Sequence, residues 1–197
     1  MHRTHGICQR IRLGVLALTL VTGAALADDY TPVTELMRSG QLPQAMARVQ
    51  QHLATKPRDP QMRFLKGLIE QDSGKPQDAI ATYNALISDY PELPEPYNNV
   101  AVLYAAQGQY DRARAALELA IRANSQYAIA HENLGDVYVR LASQSYLQSQ
   151  RLDAGNAALA PKLALLRQMF SAPASTRAAA PPTDKALPPA PSASASR

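Results

Sequence analysis

A chain of 197 residues with 46% hydrophobic and 18% charged residues is long enough to bury one ordinary core. Its single cysteine, Cys8, excludes a disulfide framework and a cysteine-based metal site. The formal charge of +4 belongs to the ends: Arg3, Arg10 and Arg12 at the start, and Arg177, Lys185 and Arg197 against Asp184 at the finish. The body between them is about −1, with no basic stripe for nucleic acid and no polybasic patch for an anionic membrane.

The three leading arginines precede an apolar run, Leu13 to Val21, and then small residues at Ala25 and Ala27. This order predicts a secretory signal peptide over residues 1–27, cleaved after Ala27. The run is shorter than the roughly 20 residues that span a bilayer, so no membrane insertion is expected after cleavage. Cys8 leaves with the leader, which suits an oxidising compartment. The expected location is outside the cytoplasm, in the periplasm of a Gram-negative bacterium.

Beyond the leader, Gly40, Gly74 and Gly108 stand 34 residues apart, each followed five residues later by an alanine, Ala45, Ala79 and Ala113. A fixed period of this size predicts stacked helical hairpins. The units fall at about 26–59, 60–93, 94–127 and 128–156, within a domain over 28–170. In the first, the first helix is short, about 32–39, and the second carries Leu42, Ala45, Val49 and Leu53. The second has Gly67, Gly74, Ala79, Tyr83 and Leu86, then Pro91 as a stop, but places Arg63 and Lys66 where apolar residues belong.

In the third unit Tyr97, Val100, Ala101 and Tyr104 follow the i, i+3, i+4, i+7 spacing of one helical face, and Ala113, Leu117 and Ala120 mark a second helix. In the fourth, the slot for the turn glycine holds Ala142, and neither Gly nor Pro occurs between Gly135 and Asp153. One long helix over about 129–152 is predicted, with Leu134, Val137, Tyr138, Leu141 and Leu152 on its packed face; a tight hairpin is the alternative. A last helix over about 157–170 begins at Asn156 or Pro161. It aligns Leu159, Leu163, Leu166 and Phe170 and caps the stack. Residues 171–197 are Ala, Pro and Ser with almost nothing bulky, a composition expected to stay disordered.

Tyr97, Val100, Ala101, Tyr104, Gly108, Tyr110, Ala113, Leu117 and Ala120, with His131, Leu134, Gly135 and Tyr138 one period on, make residues 30–156 resemble the tetratricopeptide repeat family. The resemblance implies an all-α fold: a short right-handed superhelical array of antiparallel helix hairpins, with a concave groove lined by each unit's first helix. It implies a protein or peptide segment as partner. The paired lysines of the family's carboxylate-clamp members are missing, because Asn98 and Glu132 stand in those slots, which disfavours that mode of binding.

No catalytic residues, metal ligands or cofactor site are predicted. His52 and His131 lie in different units with packing or surface roles, and no nucleophile motif, phosphate-cradling loop or dinucleotide fingerprint occurs. Tyr83, Tyr97, Tyr104, Tyr110 and Tyr138 occupy packing slots. The candidate partner-binding groove comprises Phe64, Leu68, Asn98, Asn99, Val102, Glu132, Asn133, Asp136 and Arg140. Asn99 and Asn133 are one period apart, and an amide both donates and accepts, so the pair could hold an extended backbone. Contacts to neighbouring helices are the equal alternative. Phe64, Leu65 and Leu68 form either an apolar pocket or core. The function predicted is a non-enzymatic scaffold or adaptor of the cell envelope. The alternatives are a chaperone-like assembly factor holding unfolded clients, or a structural tether using the Ala/Pro tail. The sequence leaves the oligomeric state open.

Overall fold

The computed structural model describes residues 29–171. The predicted signal peptide and all but the first residue of the predicted disordered tail lie outside the described residues. Those described form eight helices and no strand: α1 (Tyr30–Arg38), α2 (Leu42–Thr55), α3 (Pro60–Asp72), α4 (Pro76–Asp89), α5 (Pro94–Ala106), α6 (Tyr110–Ala123), α7 (Ala128–Leu152) and α8 (Leu159–Ser171). None is long and apolar enough to cross a membrane.

Helices α1/α2, α3/α4 and α5/α6 are hairpins made by one local device. Gly40, Gly74 and Gly108 have φ of 73°, 71° and 73°, the left-handed region. In each hairpin the following residue's N–H reaches back to close the first helix: Gln41 to Leu36 at 2.8 Å, Lys75 to Glu70 at 2.9 Å and Gln109 to Tyr104 at 2.9 Å. The glycine N–H bonds to the carbonyl three residues earlier, completing a Schellman stop. Proline opens α3, α4 and α5 at Pro60, Pro76 and Pro94, where its missing N–H costs nothing.

Where the fourth turn would fall, Ala142 cannot adopt the left-handed conformation cheaply, and the helix runs on. Helix α7 is continuous for 25 residues, about 37 Å at the usual rise. Its expected packed face is corrected at two positions. Val137 is buried and Leu134 and Leu141 pack on the core, but Tyr138 is 49% and Leu152 79% exposed. With no second hairpin helix beside α7, Tyr138 is left about half uncovered. Helix α8 instead returns along α7, burying Leu159 and Leu163.

Two apolar clusters form the core. One joins Val33, Ala45, Val49, Met62, Leu65 and Ile69 across the first three helices. The other runs from Phe64, Ala79 and Tyr83 through Val100, Tyr104, Ala113 and Leu117 to Val137. Leu68 packs against both. The two charged intruders of the second unit are both paired: Arg63 with Asp89 of α4 at 2.5 Å, and Lys66 with Glu70 on its own helix at 2.8 Å and with Thr82 of α4 at 3.0 Å. Thr82 in turn donates to the buried Glu70 carboxylate at 2.6 Å, so this polar cluster is internally satisfied.

His52 is packed inside the first unit. Its Nδ1 lies 3.1 Å from Asp29 and its Nε2 2.8 Å from Asp59, which also accepts from the Tyr30 hydroxyl at 2.8 Å and caps α3 through the Met62 N–H. Burial pushes the Asp59 carboxyl up, but the Met62 N–H, Tyr30 and His52 together outweigh it and hold it below the ordinary carboxylate value. His131 is exposed, with Nε2 3.0 Å from the Ser125 carbonyl.

Candidate partner-binding groove

The first helices lie along one side of the array: α1 touches α3, and α5 touches α7. Their sequences decide how much room that side has. Helix α5 ends on Ala105 and Ala106, where α3 has Gln71 and Asp72 and α7 has Val139 and Arg140. The small pair leaves an open cavity of about 430 Å³ between α5, α6 and α7. Ala101, Val102, Ala105 and Ala106 line one wall, Tyr110 and Leu117 the base, and Asn133, Asp136, Val137 and Arg140 the other wall. Phe170, at the end of α8, closes one side, with the Arg140 guanidinium stacked 3.8 Å from its ring centre.

Of the predicted groove residues, Val102, Asn133, Asp136 and Arg140 are brought together around this cavity. Val102 is 40% exposed, while Asn133 and Asp136 are half-buried. Glu132 is exposed on α7 but does not line the cavity. Two assignments are corrected. Phe64 is buried, its ring 5.7 Å from that of Tyr83, so it is core and cannot meet a partner. Asn98 is 5% exposed, held inside by its neighbours. Leu68 is half-buried between the two apolar clusters rather than forming a pocket with Phe64.

The asparagines bond chiefly to one another. Asn133 Nδ2 donates to Asn98 Oδ1 at 2.8 Å, and Asn99 Nδ2 donates to the Tyr83 hydroxyl at 3.2 Å. Asn98 Nδ2 makes a longer contact of 3.4 Å with Asn99 Oδ1. The chain of contacts links α7, α5 and α4 across two unit boundaries. Burial, opposed in part by the Asn99 amide, raises the Tyr83 hydroxyl well above the usual tyrosine range. Burial and the nearby Glu95 carboxylate push Tyr127 up to about 12. Among the described residues, no group of three His, Cys, Asp or Glu side chains could hold a metal ion.

Sequence reasoning missed the part played by Phe170. It was legible as one edge of an apolar stripe on α8, but its reach to Arg140 depends on the direction in which α8 returns. The room left by Ala105 and Ala106 was visible only as two small residues at the end of a helix.

Two family models match this repeat pattern: a tetratricopeptide repeat over residues 30–94 and a TPR repeat over residues 103–141. The chain is a tetratricopeptide repeat protein. It is 31% identical over 94 residues to the probable biofilm formation methyltransferase WspC of Pseudomonas putida, covering 48% of this chain and 22% of that protein. The chain thus spans about a fifth of that relative's length. Among solved structures, the Sgt2 TPR domain from Aspergillus fumigatus superposes with a TM-score of 0.56 at 14% identity, covering 59% of this chain and 79% of that one. The Yersinia enterocolitica type III secretion chaperone SycD, in complex with a peptide of the translocator YopD, does so at 0.52 and 17%, covering 57% and 91%. At these identities the two structures establish the shared fold.

Proposed function

We propose that this tetratricopeptide repeat protein is a non-enzymatic scaffold of the bacterial cell envelope that holds a segment of another protein against α5 and α7. The observation that carries this reading is the open cavity between Val102, Ala105, Ala106, Asn133, Asp136 and Arg140 on the first-helix side of the array. Its walls mix apolar surface with an amide and two opposite charges, the combination that fixes a peptide by side chain and backbone together. The SycD structure, which has a peptide bound to the same kind of fold, supports a peptide-sized partner. Export to the periplasm is supported by the arginine-led apolar stretch ending in Ala25 and Ala27.

The test is site-specific photocrosslinking in cells. A photoreactive residue at Val102 should capture one dominant protein, identified by mass spectrometry, while the same residue at exposed Glu118 on α6 should not. Equal capture from both positions would place the contact elsewhere and end the groove reading. Fractionation of the same cells tests the location, and recovery of the chain with cytoplasmic markers would end the export reading.

A further inference from the structure

We propose that this chain covers its own groove: the start of the segment after α8, residues 172–185, lies between α5 and α7 with Arg177 against the acidic face of α7. This rests on the groove reading above and names the occupant that a partner must displace. The first argument is where the segment begins. Phe170, at the end of α8, forms one side of the cavity. Helix α8 ends on the next residue, Ser171, so residue 172 leaves from the rim of the groove.

The second argument is charge. Helix α5 carries one charged residue, Glu95, and the acids of α7 are Glu132 and Asp136, one helical turn apart on one face. Asp136 lines the cavity, Glu132 is exposed beside it, and Glu95 lies close enough to the start of α7 to act on the Tyr127 hydroxyl. Glu95 Oε2 is buried with no hydrogen-bond partner among the described residues. The cation lining the cavity, Arg140, is stacked on Phe170. Against these acids, the first charge the segment brings is Arg177, and residues 172–197 hold Arg177, Lys185 and Arg197 against Asp184. From Arg140 back to Glu132 is about 12 Å along α7. An extended chain gains ~3.1 Å per residue, so Arg177 stands up to ~22 Å beyond Phe170, enough to set its guanidinium beside Asp136 and Glu132.

The third argument is strength. Ala105 and Ala106 leave room for a backbone to approach, and Tyr110 at the base and Phe170 at the side offer the aromatic surface on which proline-rich segments dock. Pro173, Pro181 and Pro182 carry no N–H, so laying them there strands no donor. A segment of Ala, Pro and Ser makes weak contacts, but its attachment to α8 holds it at an effective concentration in the millimolar range. A contact too weak to join separate molecules is thereby populated within one. A partner that binds more tightly displaces the segment, which sets a threshold for binding rather than a block.

The experiment compares amide NMR spectra of the full chain with those of the chain ending at Ser171, which keeps all eight helices. Removing residues 172–197 is expected to shift the signals of Val102, Ala106, Glu132 and Asp136. In the full chain, Arg177→Glu should carry Glu132 and Asp136 at least halfway to their positions in the shortened chain, while Arg177→Lys, which keeps the charge, should leave them closer to wild type. Shifts confined to α8, or an Arg177→Glu spectrum that matches wild type at Glu132 and Asp136, would overturn the proposal. Groove signals of the full chain that move with its own concentration would assign the groove to the segment of a second copy, which overturns it as well. No partner is present in these spectra, so a failed crosslinking would not alter them, and groove signals unmoved by the deletion would leave the groove reading intact.

Discussion

Asn133 on α7 donates to Asn98 on α5 at 2.8 Å, and Asn98 is all but sealed from solvent. An amide in that position serves the joint between two units, not an incoming peptide. Asn98→Ala leaves the Asn133 N–H without its acceptor, a loss of about 1–3 kcal/mol for a buried partner. Because Asn133 is half-buried, water replaces part of the bond and the expected cost lies toward the lower end. Asn98→Asp keeps an acceptor but buries a charge, and is expected to cost more. Urea unfolding should rank the chains wild type, Asn98→Ala, Asn98→Asp in falling stability; equal midpoints would show that the joint does not depend on this bond.

The same repeat slot has opposite demands in two units. A Cβ on Gly67 would lie 2.4 Å from the ring of Tyr83, which is fully buried and has no room to retreat. Overpacking of this kind costs about 1–3 kcal/mol, against about 1 kcal/mol that alanine gains over glycine in a helix. The severity of the overlap puts the cost at the upper end, so Gly67→Ala is expected to lower the melting temperature. Gly135, two periods on, has nothing within 4 Å of the same point, because α7 has no hairpin partner there. Gly135→Ala is expected to raise the melting temperature through helix propensity alone. Calorimetry on both variants checks the opposite signs.

Asp59 makes the first unit acid-sensitive. Its carboxyl is held below its ordinary value in the folded chain, so its contribution is full above the unfolded value, about 3.9, and is lost as pH falls through the lower folded value. Asp59→Asn keeps a cap for α3 but cannot be protonated. The prediction is that melting temperature falls more steeply between pH 5 and pH 2 in wild type than in Asp59→Asn, measured by circular dichroism. Parallel curves would show that the cluster around His52 carries no charge-linked stability.

Tyr127 acts at the alkaline end. Its hydroxyl is pushed up to about 12, first by burial and then by Glu95, while the unfolded chain ionises near pH 10. The folded state therefore holds its proton longer. The associated stability is full below about pH 10 and lost as pH rises from there toward 12. Tyr127→Phe removes the titrating group. Its stability should decline less than that of wild type between pH 9.5 and 11.5, read from urea midpoints at each pH.

Much of this architecture was legible before any coordinates, because it rests on physics internal to each helix pair. A glycine at Gly40, Gly74 or Gly108 terminates a helix through its own left-handed backbone, and a proline at Pro60 or Pro94 starts one through its missing N–H. The absence of such a residue at Ala142 favoured one long helix over the tight hairpin that stood as its alternative, and α7 is continuous. Apolar spacing at 3.6 residues per turn then named most of the core, from Val49 to Leu117.

What tertiary structure alone decided is which side of a helix meets a neighbour and which meets solvent. Periodicity placed Phe64, Asn98 and Val102 on one candidate face, yet packing buries the first two and leaves the third open. Tyr138 fills a core slot in the repeat pattern and is exposed because its covering helix does not exist in the fourth unit. The meeting of Arg140 with Phe170 depends on the angle at which α8 returns across α7. Local rules set where helices begin and end, but a cavity is the space left between several of them, and that space follows from side chains far apart in the chain.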